Sequence, residues 1–203
     1  MDNIKKLTDI QLSALAEAGN IGSGHAAIAL SQLLGRKIMI AVTKVRIASL
    51  KEFKETIGGE EILIAGIYLK VLGDAQGSII LVLKRESAFF LVDVLLNQKL
   101  GSTRILSEME QSALKEVGSI LSASYLNALS DLMKITLIPS VPRMVFDKAG
   151  GVFDTVFEEI VTKSDIVVGI ETEFVELTTR IKGQFLFMPD VKGLDALTTA
   201  LGV

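Results

Sequence analysis

The chain of 203 residues contains no cysteine and no tryptophan, and its only histidine is His25. Without a thiol it can form no disulfide, no cysteine-based metal site and no thiolate nucleophile. A single histidine supports neither a histidine-based triad nor a zinc site of the HExxH type. We therefore expect no metal ligands, and we interpret His25 as a polar contact. The absence of cysteine is compatible with a reducing cytoplasm.

Strong positive charge and long apolar segments are also absent. The net charge is −3, and the longest Lys/Arg clusters are pairs, such as Lys5–Lys6 and Lys84–Arg85, so no basic stripe is available for a phosphate backbone. Apolar windows such as Ile62–Leu72 and Ser78–Leu83 are too short to cross a bilayer, and residues 1–9 do not resemble a signal peptide. We expect an ordered, soluble, cytoplasmic protein with no nucleic-acid binding and no membrane insertion.

An internal duplication is the main positive feature of the sequence. Leu7–Leu34 aligns with Leu106–Met133 without a gap, and 12 of the 28 paired residues are identical. The copies stay aligned further on, after extra residues in the second copy near Gly150–Gly151. We predict two repeats, at about 7–100 and about 105–203. Because the join, Asn97–Thr103, is short and is no Pro/Gly/Ser linker, we predict a single pseudo-symmetric domain spanning residues 1–203.

Both repeats have the same predicted order of elements. A long helix opens at a capping-box spacing, Thr8 with Gln11 and Ser107 with Glu110; β-branched runs then predict strands, and a shorter helix closes each repeat. The predicted helices are Asp9–Leu34, Arg85–Asn97, Glu108–Lys134, one around Phe153–Val161, and Asp190–Leu201. The predicted strands are Ile38–Ile47, Glu61–Leu72, Gly77–Lys84, Ile135–Phe146, Asp165–Val175 and Thr179–Met188. This pattern predicts an α+β fold with two long helices and a mixed or antiparallel sheet.

Three polar residues of the first long helix, Ser13, Glu17 and Asn20, stand at positions i, i+4 and i+7. This spacing places them on one face of the helix. Taken alone, such a triplet is usually a solvated surface. Other residues should form the packed side, and the candidates are Leu12, Leu15, Ile21 and Ile28.

The second long helix keeps Ser112 and Glu116 but carries Ser119 where the first has Asn20. Both copies thus retain the serine and the glutamate while other exposed positions have diverged. This favours a function for the pair over a solvated face, although a cap or a shared contact would be retained as well.

The segment Gly19–Gly24 is unusually rich in glycine for a helix. It lacks the Lys-Ser/Thr of a phosphate-binding loop, and it lies within a helical pattern and not after a strand, so we do not expect nucleotide binding. Gly22 and Gly24 each lower helix stability by about 1 kcal/mol relative to alanine. A loss of this size indicates either close packing or the approach of a partner.

The segment Glu17–Ala27 resembles the signature of the CheC/CheX/FliY phosphatase family. In that family an aspartate or serine is followed after three residues by glutamate, after two more by asparagine, and after 22 more by proline. Two copies are present here and read, in order, Ser13, Glu17, Asn20 and Thr43, then Ser112, Glu116, Ser119 and Pro142. Two helix-borne copies resemble the CheC branch in particular, since CheX carries one active copy and FliY adds a FliN-like extension.

The resemblance implies a chemotaxis phosphatase that hydrolyses the aspartyl phosphate of a CheY-like response regulator. It implies that Asn20 orients the attacking water, that Glu17 pairs with a lysine of the regulator, and that Ser13 supports them. It also implies no cofactor of its own, with Mg²⁺ on the regulator, and the deamidase CheD as a further partner. The chemistry is reasonable, because phosphoryl transfer requires mainly positioning and charge neutralisation.

The departures from the signature have consequences. Ser119 is shorter than asparagine and lacks its planar amide, so we predict that the second site is weak or inactive, with Glu116 helping docking and Ser112 supporting it. Thr43 in place of proline removes a conformational restraint beside the first site. One alternative is a non-catalytic adaptor that binds a regulator or CheD. Another is a flagellar-switch component of the FliY type, which the missing extension disfavours.

Overall fold

The computed structural model describes residues 8–159, 166–176 and 179–200. Within these ranges the helices are α1 (Asp9–Leu34), α2 (Leu50–Ile57), α3 (Arg85–Leu95), α4 (Glu108–Met133), α5 (Ala149–Glu159) and α6 (Val191–Ala200). The strands are β1 (Met39–Ser49), β2 (Leu63–Gly73), β3 (Gly77–Lys84), β4 (Leu137–Pro139), β5 (Arg143–Lys148), β6 (Ile166–Glu176) and β7 (Thr179–Pro189). The predicted α+β class is confirmed.

Both predicted long helices are confirmed, α1 over its full predicted range and α4 to within one residue. The run Ile135–Phe146 was predicted as one strand, which is wrong: β4 and β5 are separated by a break that contains Pro142. The helix predicted around Phe153–Val161 begins earlier, at Ala149. Three predicted element ends lie outside the described residues, namely Val161, Asp165 and Leu201.

Helix α2 is absent from the sequence prediction, although a signal for it is present. The backbone N–H of Ser49 donates to Glu52 Oε2 over 2.6 Å, and the N–H of Glu52 donates to Ser49 Oγ over 3.3 Å, which is a capping box. The capping box predicted for α4 is confirmed, because the Ser107 N–H donates to Glu110 Oε2 over 2.9 Å. The side chain of Gln11, part of the other predicted box, lies outside the described residues.

The strands of the two repeats are interleaved in one sheet. Their order is β1-β6-β7-β3-β2-β4, with β5 also paired to β2, and every pairing between described strands is antiparallel. The centre of the sheet is the pair β3–β7, which takes one strand from each repeat. On either side, the first strand of one repeat pairs with the second strand of the other: β1 with β6, and β4 and β5 with β2. Each half of the sheet therefore contains strands from both repeats.

Helices cover both faces of the sheet. One hydrophobic cluster joins α1, α3 and α4 to the sheet residues Ile67, Ile79, Leu81, Ile170 and Phe185. A second cluster joins α2 and α5 to the alternate residues of the same strands, Ile64, Ile80, Val82, Val167 and Leu186. This division follows from the period of two along a strand, and it places the two motif helices on the same face.

The helices on the second face also dock across the repeats. A Cβ at Gly169 of β6 would lie 2.1 Å from Phe53 Cζ of α2, and a Cβ at Gly66 of β2 would lie 2.5 Å from Val152 Cγ1 of α5. These two glycines lie at corresponding strand positions, and each leaves room for the helix of the other repeat. Because neither position has a side chain, each of these helices can contact a strand of the other repeat.

Helices α1 and α4 pack against one another where Gly22 meets Tyr125. A Cβ at Gly22 would lie 2.5 Å from Tyr125 Cδ1 and 2.9 Å from Tyr125 Cα. The Tyr125 ring is buried and also contacts Phe185 of β7, with 4.5 Å between the ring centroids. Close packing thus explains Gly22.

The join between the repeats is held by Asp93, a fully buried residue of α3. Its carboxylate accepts hydrogen bonds from the backbone N–H groups of Gly101 (2.6 Å), Ser102 (3.2 Å) and Thr103 (3.0 Å), and from the hydroxyls of Ser102 (3.1 Å) and Thr103 (2.6 Å). Burial alone would raise the pKa of Asp93, but the bonds from Thr103, Gly101 and Ser102 together lower it below its usual value. The ionised carboxylate is therefore the form that the fold stabilises.

Replacing Asp93 with asparagine should destabilise the protein by roughly 2–4 kcal/mol at pH 7, because an amide cannot accept all of these bonds and presents its own donors to them. The pKa of Asp93 is lowered in the folded state, so its contribution is present at neutral pH and is lost as the pH falls through that lowered value. Urea unfolding across pH 7 to 3 should show the gap between Asp93→Asn and wild type narrowing in acid. The control is Asp154→Asn, at an exposed position, and a gap independent of pH would contradict the assignment.

Replacing Gly22 with alanine should destabilise the protein by about 1–3 kcal/mol, despite the better helix propensity of alanine, because the new methyl group meets the ring and backbone of Tyr125. The matched control is Gly24→Ala, where a Cβ would have no atom within 4 Å; it should stabilise the protein by up to about 1 kcal/mol. Thermal unfolding of both variants tests this, and equal shifts would show that the contact between α1 and α4 is looser than described.

Candidate functional site

The polar triplet of α1 lies on its exposed side. Ser13, Glu17 and Asn20 are all exposed, whereas the residues that alternate with them on the opposite side, such as Ala18 and Ser23, are buried. Glu17 and Asn20 are three residues apart, so their side chains are neighbours on the helix surface. The structure thus brings a carboxylate and an amide together on an accessible face.

The packed side of α1 differs from the one expected. Leu15 is buried and Leu12 is half-buried, but Ile21 and Ile28 are 45% and 59% exposed, so the prediction that these two residues pack inside is wrong. Small residues occupy the interior in their place: Ala18, Gly19, Gly22, Ser23 and Ala26. They allow the helix backbone to approach α4 and the sheet closely.

The second copy of the motif is less accessible. On α4, Ser112 and Glu116 are exposed, but Ser119 is half-buried. A Cβ at Gly118 would lie 2.5 Å from Ile67 Cγ2, and one at the corresponding Gly19 of α1 would lie 3.7 Å from Ile170 Cδ1. The two motif helices therefore sit on matching places of the sheet, and they differ at the asparagine position.

A buried hydrogen-bond network lies directly beneath the first site. The hydroxyls of Tyr125 and Ser23 are 2.7 Å apart, and the Tyr125 hydroxyl is 3.3 Å from Thr172 Oγ1. Burial raises the pKa of Tyr125, and the bonds with Ser23 and Thr172 offset part of this rise, so the phenol remains neutral at physiological pH. Ser23 is one turn beyond Asn20, and the network fixes this turn to α4 and β6. Sequence reasoning missed Tyr125, because its counterpart in the first repeat is Ala26 and its partner lies far away in the chain.

Thr43, which replaces the proline of the signature, lies at an irregularity of β1. The register with β6 shifts between Val42 and Lys44, and the hydroxyl of Thr43 donates to the backbone carbonyl of Glu171 over 3.3 Å. In the second repeat, Pro142 occupies the break between β4 and β5. Both positions interrupt the regular ladder, which is where a proline is tolerated. In the first repeat, a bulge and a side-chain hydrogen bond restrain the backbone in its place.

Three clefts found among the described residues lie away from the candidate site. A cleft of about 730 Å³ is lined by residues including Thr43, Phe90, Glu171 and Arg180, but by none of the six candidate site residues.

Among the described residues no group of three or more His, Asp or Glu side chains could hold a metal ion, and no helix is long and apolar enough to span a membrane. His25 is exposed on α1. An exposed carboxylate and amide on a helix can bind and orient groups of another molecule, which would have to complete the site.

The two regions that contain the motif copies are also the ones that match a known protein family. Residues 10–42 and 109–145 both match the model of the CheC-like family, as expected for an internal duplication. The chain is 33% identical over 200 residues to the CheY-P phosphatase CheC of Bacillus subtilis (strain 168), which covers 95% of this chain and 94% of the relative.

Two solved structures share the fold. FliY of Thermotoga maritima is 24% identical, with a TM-score of 0.77, over 97% of this chain and 98% of that one. FliM of H. pylori, from its complex with SpeE, is 15% identical, with a TM-score of 0.74, over 97% of each chain. The family predicted from the doubled motif is confirmed by the nearly full-length similarity to CheC: the chain belongs to the CheC-like family.

Proposed function

We propose that this protein hydrolyses the aspartyl phosphate of a CheY-like response regulator and thereby ends a chemotaxis signal. The observation that carries the proposal is the exposed pair Glu17 and Asn20, one turn apart on a helix whose other side is fixed to α4 and the sheet. The name of the Bacillus relative, a CheY-P phosphatase, supports it. Such a substrate would place the protein in the cytoplasm.

The proposed reaction is an in-line attack of water on phosphorus. The oxygen of the water forms a bond to phosphorus while the bond between phosphorus and the aspartyl oxygen breaks, so that inorganic phosphate and a free aspartate carboxylate result. The amide of Asn20 can accept a hydrogen bond from the water through Oδ1 and donate one to a phosphoryl oxygen through Nδ2. Fixing the water in this way lowers the barrier by positioning, without a nucleophilic side chain.

Glu17 would bind the regulator and not the water. Its exposed carboxylate can form an ion pair with a lysine of the regulator, which orients the phosphoryl group toward Asn20. Ser13, exposed one turn earlier, would support this contact. Any Mg²⁺ in the reaction would belong to the regulator, since Glu17 and Asn20 alone are too few ligands to hold the ion.

The second site would contribute docking more than hydrolysis. Ser119 is half-buried and offers one hydroxyl where the first site presents an exposed amide, so it would not reach a water held at the same height. Glu116 and Ser112 are exposed and remain available for contact with a regulator. This loss favours, as the second candidate function, a non-catalytic adaptor for a regulator or for CheD. CheD as a partner is inferred from family membership alone.

Replacing Asn20 with alanine should lower the rate of phosphate release from a phosphorylated CheY receiver domain by about 100-fold, because the water loses its orienting group. The side chain is exposed, so the thermal unfolding temperature should not change. The matched control is Asn127→Ala on α4, an exposed asparagine away from the motif, and it should leave the rate unchanged. Wild-type turnover by Asn20→Ala would refute the assignment, and binding without any release by wild type would favour the adaptor.

Introducing asparagine at Ser119 in the Asn20→Ala background should restore part of the lost rate, to about a tenth of wild type, because the second helix already has Glu116 and Ser112. Phosphate release measured with and without the further change Glu116→Gln would show whether the recovered activity comes from this site. Recovery that survives Glu116→Gln, or no recovery at all, would mean that α4 differs from α1 by more than the missing amide.

A further inference from the structure

The exposed face of α1 continues for two turns beyond Asn20. Ile21, Gly24 and Ile28 follow Glu17 at spacings of four, seven and eleven residues, so all of them lie on the same side of the helix. Gly24 is exposed, and Ile21 and Ile28 are 45% and 59% exposed. From Glu17 to Ile28 this face extends about 16 Å along the axis, and it combines the polar pair with an apolar stretch.

Gly24 has no explanation within the protein. A Cβ at this position would have no heavy atom within 4 Å, whereas a Cβ at Gly22 would collide with Tyr125. The backbone at Gly24 is ordinary α-helix, so no unusual torsion requires a glycine there. Glycine is nevertheless among the least favourable residues for a helix interior. Of the two explanations for a helical glycine, close internal packing is therefore excluded at Gly24, and the approach of a partner is left.

The corresponding face of α4 is different. It has Ala123 in place of Gly24, Asn127 in place of Ile28, and an Ile120 that is half-buried. The apolar stretch with a glycine at its centre is thus restricted to the helix that also carries Asn20. The apolar surface therefore occurs together with the first site and not with the second.

We propose that Ile21, Gly24 and Ile28 determine the affinity for the phosphorylated receiver domain, and that the regulator's backbone approaches α1 most closely at Gly24. The inference rests on the proposed function, because continuity with Glu17 and Asn20 identifies the occupant. Gly24 lies only about 6 Å along the helix axis from Asn20. A receiver domain whose phosphoryl group reaches Asn20 must therefore lie against this turn. The two isoleucines would lose their exposed apolar surface to the same partner.

A series at Gly24 tests the proposal, since alanine and glutamine have similar helix propensity and differ in size. The probe is a CheY receiver domain loaded with beryllofluoride and Mg²⁺, titrated by calorimetry. We expect Gly24→Ala to raise Kd about 5-fold and Gly24→Gln at least about 30-fold, with kcat at saturating phosphorylated regulator within about twofold of wild type. Ile21→Ala and Ile28→Ala should each raise Kd about 5-fold to 10-fold. The control, Thr56→Gln at an exposed position of α2 on the opposite face of the sheet, should leave Kd unchanged.

The outcomes separate this inference from the proposed function. If the Gly24 variants bind like wild type while Asn20→Ala still abolishes phosphate release, the docking surface is refuted and the phosphatase assignment stands. A fall in kcat with unchanged Kd would also refute it, because the glycine would then serve helix geometry. A lower unfolding temperature for Gly24→Ala would contradict the open space around the residue. If wild type neither binds nor dephosphorylates the regulator, both proposals fail.

Discussion

The structure depends on the exchange of packing surfaces between the two repeats. The first strand of each repeat completes the sheet beside the second strand of the other, and α2 and α5 rest on the glycines of the opposite repeat, Phe53 on Gly169 and Val152 on Gly66. A repeat on its own would expose these helix faces and a sheet edge to water, which is unfavourable for a unit of this size. The exchange also places α1 and α4 on one face of the sheet. The first site is therefore built on residues of the second repeat.

This dependence shows how the two copies could diverge at their sites. Tyr125 of the second repeat fills the space that Gly22 of the first repeat leaves, and its hydroxyl contacts Ser23 one turn from Asn20. The counterparts of this pair, Ala26 and Leu121, are chemically different. The close packing and the hydrogen bond beside Asn20 therefore have no chemical equivalent beside Ser119. Under the proposed function one helix carries the chemistry and the other supports it, and this division matches a contact that only one pairing of the two positions can make.

Much of the fold could be predicted from sequence, because the signals involved are local. Capping residues, β-branched runs and the repeat together predict nearly all the elements. The capping box of Ser49 and Glu52 also indicates the start of α2, although the prediction did not include this helix. The strand order could not be predicted in this way, since pairing such as β1 with β6 joins residues more than a hundred positions apart. The packed side of α1 was mispredicted for a physical reason. Hydrophobicity selects isoleucine for the interior, whereas close helix packing selected alanine, glycine and serine and left Ile21 and Ile28 outside.

Similarity of fold says little about activity in this case, because the residues of α1 that pack inside are different from those of the proposed site. FliY and FliM share the fold at 24% and 15% identity, and a shared fold alone does not carry a shared chemistry. The chemistry would lie on one exposed helix face, which the core does not constrain. Glu17 and Asn20 were selected from sequence through the doubled spacing and its resemblance to the family signature, and their roles stay a prediction. Small residues inside let α1 lie deep against α4 and the sheet, and a deeply anchored helix presents its outer face as a rigid surface. That rigidity is what an amide needs if it is to hold a water in line with a phosphorus atom that belongs to another protein.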